Sequence, residues 1–303
     1  MKPDLAYTPD LEKGGYAKIG GFNTHYHLAG EGPTIVFVHG SGPGVSAWAN
    51  WRLALPELQK EFTVAALDVV GFGYTERPEH FEYSARDWAD HVISFIEALG
   101  VGPVHLVGNS MGGGVALQIA HRRPELINKM VLMGTTGCHF EISAGLDKVW
   151  RYKPSKETMM DLLKLFLYNQ NSATPELAEL RYKASIQPGF QESWERMFPL
   201  RPQGPHEAPE DVSTFMAAEE PEEGSLQWRV DDLALEDSEI AAIKHPSLVI
   251  HGREDQVIPI QNAYKVFDLL ENAELHIFGK CGHWTQIEHK DGFNRLVGDF
   301  FKY

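Results

Sequence analysis

A serine between glycines is the first feature of the sequence that could do chemistry. Residues 108–112 read Gly-Asn-Ser-Met-Gly, which fits the G-x-S-x-G pattern of a nucleophile elbow. In such an elbow the serine, here Ser110, occupies a strained turn, and the flanking glycines leave room for the neighbouring backbone. The alternative is an ordinary glycine-rich turn between a strand and a helix.

Two further residues would complete a catalytic triad with Ser110. A serine hydroxyl is a weak nucleophile, so it needs a base, and the base needs a carboxylate to orient it. Asp255 in HGREDQVIP and His283 in GKCGHWTQIEH each come just after a predicted strand. The order Ser, Asp, His is that of the α/β-hydrolases. We therefore predict that Ser110, Asp255 and His283 are catalytic, with Glu254 as the adjacent rival for the carboxylate role.

A glycine-rich loop reads HGSGPGVSAWANW at residues 39–51 and follows the first predicted parallel strand. An oxyanion-hole loop belongs at this place in such folds. Glycines let backbone N–H groups come close to a developing oxyanion. We expect the donors to be the N–H groups of Gly42 and of Met111, which follows the serine. The alternative for the loop is a flexible Gly/Pro turn.

Strand-like and helix-like segments alternate along most of the chain and would position these residues. Short apolar runs predict strands at residues 33–40, 62–68, 103–110, 129–137, 246–252 and 273–279. The first four runs are typical of strands buried on both faces. An alternating segment at 23–30 predicts a half-buried antiparallel strand. Helices are expected at 84–100, which opens with a Ser84/Asp87 capping-box pattern, and at 111–124.

The alternation lapses between about 139 and 235. This stretch has a helical, aromatic-rich pattern, and within it residues 201–224 are rich in proline and acidic residues. The simplest interpretation is a core domain formed by 1–138 and 236–303, interrupted by a helical cap at 139–235. The fold class is then α/β, with a mostly parallel central sheet flanked by helices. The acidic segment is interpreted as a solvated surface insertion, with a subunit-contact arm as the alternative.

Composition narrows the classes of partner. The 303 residues carry 27 Lys and Arg against 42 Asp and Glu, a formal charge of −15, which argues against a nucleic-acid partner. It does not argue against a small anionic substrate, since one arginine can hold one carboxylate. We expect no membrane span or signal peptide, and a cytoplasmic location in which Cys138 and Cys281 are reduced thiols. The histidines lack HExxH-type spacing, and neither a metal nor another cofactor is expected.

Four segments together resemble the meta-cleavage product hydrolases. They are HGSGPGVSAWANW, GFGYTERP (71–78), GNSMGG (108–113) and GKCGHWTQIEH (279–289). Members of this family are α/β-hydrolases that cleave a carbon–carbon bond in ring-fission products of aromatic catabolism. The resemblance covers nearly the whole chain apart from about 201–226. It implies the α/β-hydrolase fold, a 2-hydroxy-6-oxohexa-2,4-dienoate as substrate, cleavage of its C5–C6 bond, and a homo-oligomer.

The resemblance also assigns residues to the polar end of the substrate. The positions that match family residues holding the carboxylate and 2-oxo group are Asn50, Asn109, Arg181 and Trp284. The chemistry is suitable, because amides can donate to oxygens and a guanidinium can grip a carboxylate at two points. The alternatives are a solvated helix charge for Arg181 and simple packing for Trp284.

Other positions match the apolar end of the site. The resemblance places Phe166, Trp228 and Val257 in the walls of the pocket. Ser41 stands where family members that act on biphenyl-derived substrates tend to have glycine. Together with the small Val257, it resembles the branch that acts on 6-alkyl or 6-unsubstituted dienoates. An aromatic such as Phe166 at helical spacing is also compatible with an ordinary core position.

Two other functions are compatible with the same motifs. A carboxylesterase or perhydrolase could use the same triad, but it would have no need for Arg181 or Asn109. A ligand-binding protein could keep the fold without catalysis, since fold does not imply function. That interpretation predicts a broken triad, whereas this sequence offers a complete one.

Overall fold

The computed structural model describes residues 5–202 and 224–303. Its strands are β1 Gly15–Ile19, β2 Phe22–Ala29, β3 Thr34–Val38, β4 Thr63–Leu67, β5 Val104–Asn109, β6 Ile127–Met133, β7 Arg201–Pro202, β8 Gly224–Ser225, β9 Ser247–Gly252 and β10 Ala273–Phe278. Eight of them form one sheet in the order β1-β2-β4-β3-β5-β6-β9-β10, and β7 pairs with β8. Each strand expected from an apolar run is present, while β1, β7 and β8 were not predicted.

The sheet is parallel from β4 to β10. Only β2 breaks this pattern in the described sheet, pairing antiparallel with both β1 and β4. Every residue of β3, β4, β5 and β9 is buried, as expected for parallel strands with both faces covered by helices. The predicted α/β class is confirmed. Because β5 lies among these buried strands, a residue at its carboxyl end is held by a rigid base.

The helices cover both faces of the sheet. They are α1 Ala47–Trp51, α2 Leu55–Leu58, α3 Ala85–Ala98, α4 Met111–Arg122, α5 Ala144–Trp150, α6 Lys156–Phe166, α7 Pro175–Ser185, α8 Phe190–Met197, α9 Gln227–Leu233, α10 Asp237–Ala242, α11 Ile260–Leu269, α12 Thr285–Glu288 and α13 Lys290–Lys302. The predicted Ser84/Asp87 capping box opens α3. Trp88 of α3 packs on one face of the sheet, and Trp51 of α1 packs with Phe293 of α13 on the other.

Six α-helices, α5 to α10, lie between β6 and β9, together with the small β7–β8 hairpin, and α5 to α9 fall within the expected cap. Their shared interior explains the aromatic-rich sequence, because Trp150 stacks on Phe198 at 5.0 Å and Trp194 lies 4.7 Å from Phe198. The division into a core and a cap at residue 139 stays a prediction. The acidic insertion falls mainly on residues 203–223, outside the part of the chain that the structure describes.

Two buried histidines fix the loop that follows β4. His39 Nε2 accepts the N–H of Val69 at 2.9 Å, and His91 Nδ1 accepts the N–H of Val70 at 3.0 Å. A ring nitrogen that accepts a hydrogen bond carries no proton, so both histidines are neutral in this arrangement. Burial lowers the pKa of both, and for His91 to about 4.

Within the described residues, no helix combines the length and apolar character that crossing a membrane would require.

Candidate active site

Ser110 lies at the sharp turn between β5 and α4. Its φ is 55° and its ψ is −118°, a conformation that residues other than glycine rarely adopt. A Cβ on Gly108 would lie 2.3 Å from the carbonyl oxygen of Gly112, and a Cβ on Gly112 would lie 2.3 Å from that of Val38. Both flanking positions of the G-x-S-x-G pattern therefore require glycine, and the turn presents the serine above the sheet.

The three predicted triad residues lie at the carboxyl ends of parallel strands. Ser110 follows β5, Asp255 follows β9 and His283 follows β10. His283 Nδ1 is 2.7 Å from Asp255 Oδ2, with both side chains buried. Ser110 and His283 line the same cavity. Since a carboxylate can only accept here, Nδ1 carries the proton and Nε2 is left free to take one from the serine side.

Asp255 is held in its ionised form. Burial alone would raise the pKa of its carboxyl group, but the electrostatic attraction and the hydrogen bond of the His283 ring keep that pKa below its usual range. Its Oδ1 also accepts the backbone N–H groups of Val257 at 2.8 Å and Ile258 at 3.0 Å. These contacts fix the carboxylate toward the imidazole, which is what a base-orienting residue requires.

The rival carboxylate, Glu254, points away from the imidazole. It pairs with Arg253 at 2.7 Å and accepts the N–H of Cys281 at 3.0 Å. A second histidine, which the sequence analysis missed, does reach the acid: His251 Nε2 lies 3.4 Å from Asp255 Oδ2. Burial lowers the pKa of His251, so this ring is neutral and supports the carboxylate by contact.

A cavity opens beside Ser110 and His283. Eight of the other predicted site residues line it: Ser41, Gly42, Asn50, Asn109, Phe166, Arg181, Val257 and Trp284. The described lining contains Arg181 but no aspartate or glutamate. The cavity therefore has an apolar part and one strongly positive end.

Four lining residues were missed by the sequence analysis: Gly40, Val45, Leu146 and Val149. Leu146 and Val149 lie three positions apart on α5, a spacing that indicates a shared apolar face of the helix but does not show which part of the molecule that face contacts. A Cβ on Gly145 would lie 1.9 Å from the carbonyl oxygen of Gln256. Glycine at that position lets α5 pack directly against the loop that carries Asp255, and so brings its apolar side chains to the cavity.

Arg181 supplies the positive end. Its side chain is 4% exposed, its Nη2 donates to the carbonyl of Pro43 at 2.8 Å, and its Nε finds no partner among the described residues. Its guanidinium lies 5.1 Å from the ring of Trp284. Burial and the nearby charge of Arg52 lower the pKa of Arg181 to about 9, so it stays charged at neutral pH. A buried cation without a counter-ion favours the approach of an anion.

Two asparagine amides extend this polar end. Asn50 is buried, and its Nδ2 finds no hydrogen-bond partner within the described ranges. Asn109 Nδ2 donates to the carbonyl of Met133 at 3.2 Å, which anchors the side chain beside the elbow. The amide of Asn50 is free to donate to a ligand oxygen, and that of Asn109 keeps one hydrogen for the same purpose.

The predicted oxyanion donors come from two directions. Met111 is the first residue of α4, and the N–H groups of a first helical turn have no acceptor within the helix. Gly42 lines the cavity, and a Cβ there would lie 3.1 Å from Arg181 Nη2 and 3.3 Å from Phe166 Cζ. Ser41 Oγ accepts the indole N–H of Trp150 at 2.9 Å, so its hydroxyl ties the loop to α5.

Phe166 connects the helical segment to the histidine loop. Its ring stacks on Trp284 with centroids 4.5 Å apart and lies 5.8 Å from the ring of His283. Its carbonyl also accepts the backbone N–H of His283 at 2.8 Å. Phe166 is therefore a wall of the cavity and also a support for the histidine.

Glu288, which the sequence analysis missed, ties the same two segments together. Its Oε2 accepts the N–H of Gly282 at 2.7 Å and that of Tyr168 at 3.1 Å, and its Oε1 accepts the N–H of Asn169 at 2.8 Å. One carboxylate thus holds the residue before His283 and the chain that follows Phe166. Charge-assisted bonds of this kind are stronger than neutral ones.

Trp228 is placed differently from the other predicted residues. Among the residues that the structure describes, those lining the cavity do not include it. Its ring is stacked against the guanidinium groups of Arg201 at 3.7 Å and Arg229 at 4.1 Å, and its N–H donates to the carbonyl of Pro199 at 3.0 Å. In this arrangement it packs α9 against the β7–β8 hairpin and contacts no cavity residue through these bonds.

One cluster of described side chains could be considered for a metal ion. The ligand atoms of His25, His27 and Asp68 lie within 4.8 Å of one another. His25 Nδ1, however, is 3.0 Å from Asp68 Oδ2, and its Nε2 is 2.9 Å from the carbonyl oxygen of Lys13. Burial alone would lower the pKa of His25, but Asp68 raises it. A ring whose two nitrogens both face acceptors fits a buried imidazolium better than a metal ligand.

Comparison with known proteins decides the family. The sequence matches the family described as alpha/beta hydrolase fold over residues 33–290. It is 48% identical over 280 residues to a 2-hydroxymuconate semialdehyde hydrolase of Pseudomonas sp. strain CF600, covering 92% of this chain and 90% of the relative. The chain belongs to the meta-cleavage product hydrolases of the α/β-hydrolase fold. It is 44% identical over 291 residues to a 2-hydroxy-6-oxo-2,4-heptadienoate hydrolase of Pseudomonas putida, covering 96% and 97% of the two chains.

Solved structures agree with this assignment to the meta-cleavage product hydrolases. A mutant of the meta-cleavage product hydrolase CumD from Pseudomonas fluorescens, complexed with acetates, superposes with a TM-score of 0.87 and is 46% identical, over 97% of this chain and 99% of that one. The protein is a hydrolase of this family, and the fold expected from the sequence resemblance is confirmed.

Proposed function

We propose that this meta-cleavage product hydrolase cleaves the C5–C6 bond of a 2-hydroxy-6-oxohexa-2,4-dienoate in the degradation of aromatic compounds. The products are 2-hydroxypenta-2,4-dienoate and a carboxylic acid. The observation that carries the proposal is the buried, unpaired Arg181 in the same cavity as Ser110. The names of two relatives support it, since one is a 2-hydroxymuconate semialdehyde hydrolase and the other a 2-hydroxy-6-oxo-2,4-heptadienoate hydrolase.

The polar end of the cavity would bind the carboxylate and the 2-oxo group. Arg181 supplies the charge, and Asn50 and Asn109 supply amide donors beside it. Trp284 contacts the guanidinium and closes that end. A substrate carboxylate placed there pairs a cation that is otherwise buried alone, so binding removes a cost that the free protein carries. A simple ester without a carboxylate would gain nothing from this arrangement.

The reaction follows from the groups around Ser110. The dienol first ketonises, which makes the five-carbon fragment a leaving group. Ser110, or a water molecule that it helps to activate, adds to the C6 carbonyl while His283 takes the proton and Asp255 stabilises the imidazolium. Backbone N–H groups of Gly42 and Met111 stabilise the oxyanion. The C5–C6 bond then breaks, C5 receives the proton, and one water is consumed in releasing the acid.

The apolar end would hold the C6 substituent. Its aliphatic walls are Val45, Leu146, Val149 and Val257, and its aromatic wall, Phe166, has one face of the ring covered by Trp284. Branched aliphatic side chains fit hydrogen, methyl or ethyl well and offer no flat face to a phenyl ring. We therefore favour a 6-alkyl or 6-unsubstituted dienoate. The helices α5 to α9 act as a cap over the core in this account, and buried free Cys138 and Cys281 fit a reducing cytoplasm.

The test is a bleaching assay on 2-hydroxy-6-oxohepta-2,4-dienoate. We expect loss of the dienolate colour with release of one acetate per substrate. Ser110→Ala should slow this by several orders of magnitude, as in other triads, while still binding the substrate. A neutral p-nitrophenyl ester serves as the comparison substrate. Fast hydrolysis of the ester with no bleaching of the dienoate would instead identify a carboxylesterase and overturn the proposal.

A further inference from the structure

A second cavity, which we call the arginine vestibule, lies next to the first. It is lined by Ala49, Arg52, Leu177, Leu180, Gln286 and Ile287 and by three residues of the first cavity. The shared residues are Asn50, Arg181 and Trp284, whereas Ser110 and His283 line only the first cavity. The carboxylate-binding side chains therefore form a partition with one face toward the serine and one toward the vestibule.

The vestibule holds two cations and no acid among its described lining residues. Neither Arg52 nor Arg181 forms an ion pair within residues 5–202 and 224–303, and Arg52 donates one hydrogen bond, to the carbonyl of Ala49 at 2.6 Å. The two guanidinium groups are close enough for Arg52 to lower the pKa of Arg181. In a chain with a formal charge of −15, such a pair marks a place where an anion is locally favoured.

The walls of the vestibule match the rest of a dienoate. Leu177, Leu180 and Ile287 are apolar, and Leu180 is 60% exposed. Because Leu180 is exposed, the opening of the vestibule to solvent lies on its side, and the buried Arg181 lies at the inner end. A dienoate that enters with its C6 end first would pass along this apolar wall and leave its trailing carboxylate between the two arginines.

We propose that the arginine vestibule is the route by which the dienoate carboxylate reaches Arg181, with Arg52 as a positioning residue that holds the carboxylate on the way. This inference rests on the proposed function of the main site. Arg52 does not line the cavity of Ser110, so it acts on substrate capture and leaves the chemical step unchanged. The exposed side of the route is screened by salt, with a Debye length of about 10 Å at 0.1 M.

The test compares Arg52→Gln and Arg52→Lys over a range of ionic strength. For the dienoate at low salt, Arg52→Gln should lower kcat/KM about five- to tenfold, mostly through KM, and should flatten its salt dependence. Arg52→Lys should keep most of the wild-type kcat/KM and most of its salt dependence. The p-nitrophenyl ester should be unaffected. Arg86→Gln, which removes an exposed arginine of α3, is the matched control and should leave kcat/KM unchanged.

A second variant tests the route without changing charge. Leu180→Trp should narrow the mouth and lower kcat/KM for the dienoate several-fold at all salt concentrations. Ile186→Trp, at an exposed position just after α7 and outside the vestibule, should have no such effect. The vestibule proposal is wrong if the wild-type protein bleaches the dienoate but Arg52→Gln keeps its kcat/KM and salt dependence. It is also wrong if Arg52→Gln and Arg52→Lys each lower kcat/KM for the dienoate and for the ester by the same factor, because that result indicates a structural role for Arg52. Absence of bleaching by the wild type would instead refute the function proposed for the main site.

Discussion

Replacing Arg181 with methionine should stabilise the protein while impairing its action on the dienoate. Burial lowers the pKa of Arg181 far below that of a free guanidinium, to about 9, and at about 1.4 kcal/mol per pKa unit this corresponds to some 4–5 kcal/mol against the buried charge. The hydrogen bond to Pro43 and the contact with Trp284 offset about 1–3 kcal/mol of this. A methionine of similar length keeps the packing and removes the charge. We expect the free energy of unfolding to rise by about 1–3 kcal/mol.

Arg229 is the matched control, because it is equally buried but fully paired. It makes four hydrogen bonds, to the carbonyls of Met197 and Tyr83 and to the carboxylate of Asp232. Removing it strands these acceptors, so Arg229→Met should lower the free energy of unfolding by about 3–5 kcal/mol. The two substitutions are chemically identical, and their opposite signs would separate a binding-site cation from a structural one.

Urea unfolding and the two kinetic assays measure these effects. Arg181→Met should shift the unfolding midpoint upward and lower kcat/KM for the dienoate about 10- to 150-fold, the equivalent of 1.5–3 kcal/mol for a charged hydrogen bond. Hydrolysis of the neutral ester should change little. The reasoning is refuted if Arg181→Met destabilises the protein as Arg229→Met does, or if both substrates lose activity equally.

Three further predictions concern stability, specificity and positioning. The pKa of His91 is about 4 in the folded protein, against 6.5 ordinarily. Between pH 6.5 and 4 the unfolded chain therefore binds more protons than the folded one, and the free energy of unfolding decreases as the pH is lowered. Between pH 7 and 5 this should cost about 2 kcal/mol, and His91→Gln should show a smaller fall in its urea midpoint. In the Val257 pocket, kcat/KM for the 6-methyl dienoate should exceed that for the 6-phenyl compound by at least about tenfold, and a phenyl substrate cleaved as well would contradict this. Glu288→Gln should lower kcat for both the dienoate and the ester about tenfold, because His283 is then misplaced. Glu271→Gln at the surface should leave kcat unchanged. Equal kcat values for the two variants would refute the positioning role of Glu288.

The sequence was sufficient to locate the sheet and the elbow because these depend on local patterns. Apolar runs of strand length identify the buried parallel strands, and the capping box at Ser84 identifies the start of α3. The G-x-S-x-G pattern requires its glycines for contacts within a few residues and with β3. Chain order then links Asp255 and His283 to the carboxyl ends of neighbouring strands, where they meet.

Contacts between distant segments could not be predicted in this way. Glu288 holds backbone N–H groups about 120 residues away, and no local pattern indicates such a partner. Trp228 is an apolar residue type that suits a pocket wall. Its ring instead packs against the guanidinium groups of Arg201 and Arg229, and their positions depend on tertiary packing. Leu146 and Val149 were missed because α5 is short, and its side chains could be assigned to the cavity only once Gly145 was known to pack against Gln256.

The central claim is that Ser110 and His283 carry out hydrolysis of a carbon–carbon bond. The most direct measurement is product analysis after reaction of 2-hydroxy-6-oxohepta-2,4-dienoate in ¹⁸O-labelled water. We predict that the acetate gains one oxygen atom from water, that the 2-hydroxypenta-2,4-dienoate gains none through cleavage, and that Ser110→Ala releases almost no acetate. Bleaching without acetate release, or release of labelled acetate by Ser110→Ala at the wild-type rate, would contradict the account.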